Sequence, residues 1–407
     1  MKKSFFIFRK KKPDGGVNVK EKVLHLIEEV KDELIQLSKY IYENPELGYE
    51  EYKSSKAHIN LLKKHNFKVE ECYLGMETAF RAEYKGEKDG PTIAYLAEYD
   101  ALPGIGHGCG HNLLGTVSTG AGIVLSKLVD EIGGRVVVFG TPAEETSGAK
   151  VEMVAKRAFD DVDIAMLAHP DAEFYQSGAS LALEAVEFTF RGKTAHAASS
   201  PEKGINALDG VILTFNAINA LRQHILPSAR VHGIIVEGGK APNVVPDLAV
   251  ARFYIRATTK KYLMELSEKV KNCARGASIA TGTELEISNF EASYDNMVTN
   301  ETLSKRYNEH LKGLGVEDCE NIRETFGSID MGNVSHVCPA IHPYFGICRG
   351  SGIAAHTKEL AEATLTEEAH DSMKKTIAAL VLTAADVIMD EELLKKIKEE
   401  FETCKDK

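Results

Sequence analysis

Apolar and polar residues alternate along this chain with two different periods. Where apolar residues recur every three or four positions, as in residues 19–44, they predict an amphipathic helix. The same spacing predicts further helices over residues 52–65, 112–130, 150–157, 301–314, 365–389 and 391–404. Short apolar runs predict strands over residues 78–84, 92–97, 135–140, 163–168 and 340–347. Helices that alternate with strands predict an α/β domain, in which a mixed β-sheet is flanked by helices.

The middle of the chain follows a separate pattern. Strands are predicted over residues 181–191, 231–237, 249–257 and 284–291, and helices over residues 204–224 and 260–281. The resulting order, β-α-β-β-α-β, is typical of a ferredoxin-like unit. We therefore predict a small domain, residues 181–295, inserted into a larger domain formed by residues 19–180 and 296–407.

The first 18 residues fit neither domain. A short apolar run, Phe5 to Phe8, is followed by a basic block, Arg9 to Lys12. The run is shorter than the roughly 7–15 apolar residues of a signal-peptide core. We expect residues 1–18 to be a disordered leader.

Composition narrows the classes of partner. Acidic residues outnumber basic ones, 60 to 49, and this net charge of −11 disfavours a nucleic-acid partner. No apolar run approaches the roughly 20 residues of a membrane helix, so no membrane partner is expected. Seven scattered cysteines do not resemble a disulfide framework and favour the reducing cytoplasm.

The densest chemical signal lies between the predicted strand at residues 92–97 and the helix that follows. Cys109 and His111 stand two positions apart in a glycine-rich loop, with Asp100 nearby. A thiolate and an imidazole together suit zinc or a similar transition metal. The glycines do not fit the dinucleotide pattern G-x-G-x-x-G in any register, which disfavours a nucleotide site.

Two other predicted strands also end in candidate metal ligands. The strand at residues 135–140 leads to Glu144 and Glu145, and the strand at residues 163–168 leads to His169. Adjacent carboxylates point in different directions, so one could bind metal while the other accepts a proton from water. Each residue alone would more often be an ordinary surface or core residue. Their convergence at the carboxyl ends of strands favours one shared site.

A further metal ligand is expected near the C-terminus. His356 is the first candidate, and His336 and His342 compete with it. Cys109 paired with a distant histidine could instead be a catalytic nucleophile. That alternative leaves the two glutamates unexplained, so we rank it below the metal site.

These motifs together resemble the M20 family of metallopeptidases and amidohydrolases, in the branch that has a cysteine ligand. The matching segments are Asp100-Ala-Leu-Pro, His107-Gly-Cys109-Gly-His111, Pro142-Ala-Glu144-Glu145, Gly192-Lys-Thr-Ala-His196-Ala, Ala241-Pro-Asn243-Val-Val-Pro and His356. They occur in the family's order and extend over nearly the whole chain after the leader. The resemblance implies a catalytic domain with an inserted ferredoxin-like lid and dimerisation domain.

Two departures narrow the resemblance within the family. Asn112 replaces an aspartate found in many relatives, and Ser328-Ile-Asp330 replaces a more acidic segment. With Ile341-His342-Pro, these segments are most similar to p-aminobenzoyl-glutamate hydrolases and β-alanyl dipeptidases.

The resemblance also implies a role for each site residue. One or two divalent metal ions (Zn²⁺, Mn²⁺ or Co²⁺) would be held by Cys109, His111, Glu145, His169 and His356. Glu144 would be the general base, and Asp100 would orient a metal ligand. Substrate contacts are expected from His196, often acting from the partner subunit in this family, and from Asn243 and Arg256.

We therefore predict a cytoplasmic, homodimeric, metal-dependent hydrolase. It would cleave one amide or peptide bond in a small N-acyl-amino-acid or dipeptide substrate that carries a free carboxylate. An alternative from another class is a catalytically idle binding or scaffold protein of the same fold. An intact Glu144 and a complete ligand set argue against that alternative.

Overall fold

A computed structural model describes residues 19–323 and 327–404. The predicted leader, residues 1–18, lies outside the described residues. Within the described ranges the helices are α1 (Val19–Glu43), α2 (Tyr52–Lys64), α3 (His111–Ile132), α4 (Ala149–Ala155), α5 (Ala207–Leu221), α6 (Lys260–Thr281), α7 (Glu301–Gly313), α8 (Met331–Ser335), α9 (Lys358–Ala363), α10 (Glu367–Met389) and α11 (Glu391–Cys404).

The strands form a six-stranded, a four-stranded and a two-stranded sheet. They are β1 (Lys68–Glu71), β2 (Phe80–Lys85), β3 (Thr92–Ala97), β4 (Arg135–Gly140), β5 (Ile164–Met166), β6 (His169–Asp171), β7 (Ala182–Arg191), β8 (Arg230–Glu237), β9 (Leu248–Ala257), β10 (Glu284–Asn289), β11 (Ala340–Ile341) and β12 (Tyr344–Gly346).

The six-stranded sheet is mixed, as predicted, with the order β1-β2-β4-β3-β5-β11. Its central strands β4, β3 and β5 run parallel, whereas β1 and β2 are antiparallel to their neighbours. Alternate residues of β3 enter different cores: Ile93 and Tyr95 pack on one face, and Ala94 and Leu96 on the other. The sheet is therefore buried on both sides, which explains why β3 is apolar throughout.

The smaller domain consists of β7 to β10 with α5 and α6, and its β-α-β-β-α-β order confirms the prediction. All neighbouring strands are antiparallel in the order β10-β7-β9-β8. Alanines and large apolar residues of β7 and β9 pack under the two helices, in a core separate from those of the larger domain. Strand β8 is left at the edge of the sheet.

The single strand predicted over residues 340–347 is two short strands. β11 pairs with β5 in the main sheet, whereas β12 pairs with β6 in a separate two-stranded sheet. The break falls at His342 and Pro343. The N–H of His342 donates to the Ser177 hydroxyl at 2.9 Å, and Pro343 has no N–H to donate to a ladder.

Helix α11 packs onto the core of the larger domain through Leu393 and Ile397, which are buried. Among the described residues, helix α3 is long and apolar enough, by length and composition alone, to cross a membrane. However, 94% of its 18-residue apolar window is buried inside the protein, as expected for a core helix.

Candidate metal centre

Three neighbouring strands deliver the candidate ligands to one edge of the main sheet. β3 lies between β4 and β5, and all three run parallel, so their carboxyl ends point the same way. The loop after β3 ends at Gly110, whose φ of 82° is readily adopted only by glycine, and α3 begins at His111. Cys109 is thereby placed at the start of a buried helix, facing the loops that follow β4 and β5.

The structure brings together all five predicted metal ligands. Three groups of donors have their ligand atoms within 4.8 Å of one another: Cys109 with His111 and His169, Cys109 with Glu145 and His356, and Glu98 with His111 and Glu144. Within these groups, Cys109 Sγ lies 3.4 Å from His169 Nε2. Glu145 Oε1 lies 3.3 Å from His356 Nε2.

Unpartnered atoms show that a cation fits this cluster. Glu98 Oε2, His111 Nε2 and Glu145 Oε1 are buried without a hydrogen-bond partner. Each such atom costs about 1–3 kcal/mol unless something satisfies it. A sulfur, imidazole and carboxylate donor set suits zinc or a neighbouring divalent transition metal. The residues present are therefore chemically suited to hold a divalent transition metal.

Asp100 contacts two of the candidate ligands, His111 and Glu145. One carboxylate oxygen lies 2.9 Å from His111 Nδ1. The other accepts the backbone N–H of Glu145 at 2.9 Å. Because Nδ1 of His111 is occupied in this way, Nε2 is the nitrogen left to face the cluster.

His356, rather than its two competitors, joins the cluster. Its backbone N–H donates to the carbonyl of Gly108 at 2.8 Å, which ties the C-terminal loop to the glycine-rich loop. Its φ of 64° is uncommon for a residue with a side chain. The Nε2 atom of His336 instead lies 3.0 Å from the carbonyl of Asn296. The ring of His342 packs 5.6 Å from that of His169, outside the donor groups.

The two adjacent glutamates lie in different electrostatic environments. Burial, together with the negative charges of Glu98 and Glu145, raises the pKa of Glu144 well above its usual range. Burial also acts to raise the pKa of Glu145, but the neighbouring His356 and His111 outweigh it and lower that pKa to about 2. Glu145 is thus suited to remain an ionised ligand, and Glu144 to accept a proton.

The sequence analysis missed a buried ion cluster beside the site. The Lys150 ammonium lies 2.7 Å from Glu98 and 2.6 Å from Asp330, and all three side chains are almost completely buried. The other oxygen of Glu98 lies 3.3 Å from His111 Nε2. One signal was available in the sequence, because Glu98 directly follows the uninterrupted apolar run of residues 93–97. Nothing in the sequence around Lys150 marks its burial.

The candidate substrate contacts lie on the smaller domain. His196 and Asn243 are both exposed and lie on adjacent segments, which are joined by a hydrogen bond from the Ala197 N–H to the Asn243 carbonyl at 3.0 Å. Among the described residues, no hydrogen bond or ion pair links either of them to the metal ligands. Arg256 is half-buried and donates to the Ser328 hydroxyl at 2.8 Å, so it bridges the two domains.

Comparison with known proteins agrees with this architecture. A family model described as a peptidase dimerisation domain matches residues 183–281. The Xaa-Arg dipeptidase of Mus musculus is 37% identical, over 95% of this chain and 93% of its own length. A p-aminobenzoyl-glutamate hydrolase chain from Escherichia coli (strain K12) is 29% identical, over 93% of this chain and 94% of its own length.

A solved structure from Bacillus subtilis shares the fold. It is described as a dinuclear metal-binding peptidase of the M20 family, and it superposes with a TM-score of 0.63 at 20% identity, covering 88% of this chain and 99% of its own. The 37% identity to the mouse dipeptidase extends over nearly the full length of both proteins and is not confined to one motif or domain. We conclude that this chain belongs to the M20 family of metallopeptidases and is an enzyme that hydrolyses peptide or amide bonds.

Proposed function

We propose that the protein is a dipeptidase or N-acyl-amino-acid hydrolase in which Glu144 is the general base. The main observation in support of this proposal is that five side chains with nitrogen, sulfur or oxygen donor atoms converge beside this carboxyl. Their proposed set is Cys109, His111, Glu145, His169 and His356, with one or two Zn²⁺, Mn²⁺ or Co²⁺ ions. A divalent metal bound there supplies Lewis-acid polarisation of the scissile carbonyl and acidifies water.

Residues of the chain itself carry out the proton transfers and keep the site in place. Glu144 takes the proton of the attacking water and passes it to the leaving amine. Its raised pKa makes it a stronger base than an ordinary glutamate. Asp100 keeps His111 and the Glu145 backbone in place during both steps.

The substrate class follows from what the relatives' names share. One relative is named for a peptide bond to arginine and the other for an amide to glutamate. In both names the leaving side is an amino acid. We propose that this enzyme also releases an amino acid with a free carboxylate, which His196, Asn243 and Arg256 would contact.

We propose that the active enzyme is a homodimer formed through the smaller domain. We place this domain at residues 181–295. Residues 183–281 match a dimerisation domain. Edge strand β8 exposes Ile234, Ile235 and Val236, with Ile234 at 65%. An exposed apolar edge strand presents unpaired N–H and C=O groups to a second chain. In such a dimer, the exposed His196 of one chain would reach the partner's site. We place this dimer in the cytoplasm, where the Cys109 thiol stays reduced.

A second mechanism has one observation in its favour. Cys109 Sγ lies 3.4 Å from His169 Nε2, as in a thiol–imidazole nucleophilic pair. However, burial raises the pKa of the Cys109 thiol. Burial, with the nearby His111 and His342, also lowers the pKa of His169 to about 3. A neutral thiol beside a weak base is a poor nucleophile but becomes a thiolate ligand when metal binds.

The test compares Glu144→Gln with Glu145→Gln. The metal content of each variant is measured after loading with Mn²⁺, Co²⁺ or Zn²⁺. The kcat of each loaded variant is then measured on a panel of dipeptides and N-acyl amino acids. Glu144→Gln should keep its metal and lose roughly 10²–10⁴-fold in kcat, as expected for loss of a general base. Glu145→Gln should lose metal affinity. If Glu145→Gln keeps its metal and loses activity, the two roles are reversed. Full activity after complete chelation would favour the thiol mechanism.

A further inference from the structure

Glu51 is a completely buried carboxylate next to the loop that carries Glu144 and Glu145. It directly precedes α2, and its side chain has no solvent exposure. Oε1 accepts the backbone N–H of Ala143 at 2.8 Å. Oε2 accepts the Thr78 hydroxyl at 2.8 Å. Burying a carboxylate is costly unless its oxygens are hydrogen-bonded, so these two bonds define the position of Glu51.

Ala143, which immediately precedes Glu144, has an unusual backbone conformation. Its φ is 60°, in the left-handed region that favours glycine. Such a conformation costs a residue with a Cβ roughly 1–2 kcal/mol and persists only where the surroundings enforce it. The Ala143 carbonyl accepts the N–H of Gly148 at 2.7 Å and so closes the turn from within. Glu51, which lies outside the loop, accepts the backbone N–H of the same residue.

The segment that precedes Glu51 contacts the same site at two further points. A Cβ on Gly48 would lie 2.9 Å from the Cβ of Ala143, so this segment packs directly against the loop. The carbonyl of Glu46 accepts the N–H of Ala101 at 2.8 Å, next to Asp100. Residues 46–51 therefore contact both loops that carry proposed catalytic residues.

We infer that Glu51 is a positioning residue for the reaction: by accepting the Ala143 N–H, it holds the left-handed turn that aims Glu144 at the metal cluster. The inference rests on the proposed role of Glu144 as general base. Glu51 itself does not touch the reacting atoms. Its effect should therefore appear in turnover and not in substrate binding.

Glutamine is the conservative replacement at this position. Its side-chain oxygen can accept the Ala143 N–H, while its amide N–H can donate to the Thr78 hydroxyl. Burial, with the negative charge of Asp100, raises the pKa of Glu51 to about 7, so a neutral group is compatible with this environment. Glu51→Met has a similar length but lacks an acceptor.

The experiment measures kcat, KM, metal content and circular dichroism for wild type, Glu51→Met and Glu51→Gln. In Glu51→Met, kcat should fall roughly 10–100-fold, because a displacement of about 1 Å at a reacting group can cost that much. Its KM and metal content should change less than about threefold. Glu51→Gln should restore most of kcat. A folded, metal-loaded Glu51→Met with wild-type kcat would overturn the inference.

Thr78→Val is the matched control. It removes the other hydrogen bond to the same carboxylate and leaves the Ala143 bond in place. It should lose some stability and keep kcat. Equal loss of kcat in Thr78→Val and Glu51→Met would show that the loss does not depend on the hydrogen bond to Ala143, which also overturns the inference.

Two further variants ensure that the experiment can contradict the inference. If Glu51→Met does not fold, Glu51→Asp replaces it. This side chain is one methylene shorter and withdraws the acceptor from Ala143, so an unchanged kcat would contradict the inference. Glu144→Gln is measured in parallel. If it is as active as wild type, the proposed function fails; if it is inactive while Glu51→Met is fully active, only the inference about Glu51 fails.

Discussion

The carboxylate of Asp100 holds His111 in one tautomer, with Oδ1 2.9 Å from Nδ1 of the ring. Both side chains are fully buried, so water does not compete for this contact. The ring thus carries its proton on the side of Asp100 and presents Nε2 to the other ligands. The same carboxylate accepts the Glu145 N–H, so one residue contacts candidate ligands from two separate loops.

Replacing Asp100 with asparagine should therefore weaken metal binding. The amide keeps the shape but loses the charge that favours one tautomer, and changes of this kind typically cost 10–100-fold in affinity. Competition against a chelating dye measures the effect. Asp130→Asn is the control, because Asp130 accepts the Tyr84 hydroxyl at 3.0 Å near the opposite end of α3. Equal affinities in wild type and Asp100→Asn would remove Asp100 from the ligand-orienting role.

Cys109 should be protected by metal. A thiolate that coordinates a cation is less available to oxidants than a free one. Peroxide should therefore inactivate the metal-free protein faster than the loaded one, as followed by activity after metal is restored. Cys109→Ser should lower metal affinity, whereas Cys348→Ser should not. The same inactivation rate with and without metal would argue that Cys109 is not a ligand.

His196 offers a test of action across the dimer. Glu144→Gln and His196→Ala homodimers should each be nearly inactive. If His196 acts in trans, a mixed dimer contains one doubly damaged site and one intact site. A fully exchanged equal mixture should then regain about a quarter of wild-type activity for a two-fold symmetric dimer. Exchange is verified first with differently tagged chains. No recovery after proven exchange would place His196 in its own chain's site.

Acid should destabilise the protein partly through His58. Complete burial lowers the pKa of His58 to about 3, and its Nδ1 atom lies 2.8 Å from the Thr119 hydroxyl. In the unfolded chain its pKa is about 6.5. Between these values the unfolded state binds more protons, so stability is lost as pH falls from about 6.5 towards 3, by roughly 1.4 kcal/mol per pH unit at most.

His58→Gln should lower the number of protons that the chain takes up on unfolding in this pH range by about one. Urea unfolding of metal-free wild type and variant at several pH values from 7 to 4 measures the difference, because the other titrating groups are common to both. The variant should be less stable at neutral pH and should lose less stability on acidification. Parallel pH profiles would show that His58 is not a source of the acid sensitivity.

Four of the five candidate metal ligands could be predicted from the sequence, because their positions depend on local order. Cys109 and His111 share one short loop, and the glutamates and His169 directly follow strands that a parallel sheet aligns. The β-α-β-β-α-β order of the smaller domain was predictable for the same reason, since each element has its own period.

Pairings between distant segments could not be predicted in this way. Nothing near Lys150 indicates that its ammonium is buried between Glu98 and Asp330, because its partners come from other parts of the chain. The split into β11 and β12 likewise depends on the Ser177 hydroxyl, which takes the N–H that a continuous strand would have used. Whether His196 serves its own chain's site depends on the assembly and not on local sequence.

The pairing of Lys150 with Asp330 also has a consequence for synthesis on the ribosome. The two residues are 180 positions apart, and the smaller domain lies between them. At roughly 5–20 residues per second, Asp330 is made about 10–40 s after Lys150. During that interval a buried Lys150 would lack one of its two carboxylates, a defect that costs about 3–5 kcal/mol in a finished protein. We therefore expect the smaller domain to fold first on the nascent chain. The larger domain should complete its folding only after its C-terminal segment has been translated.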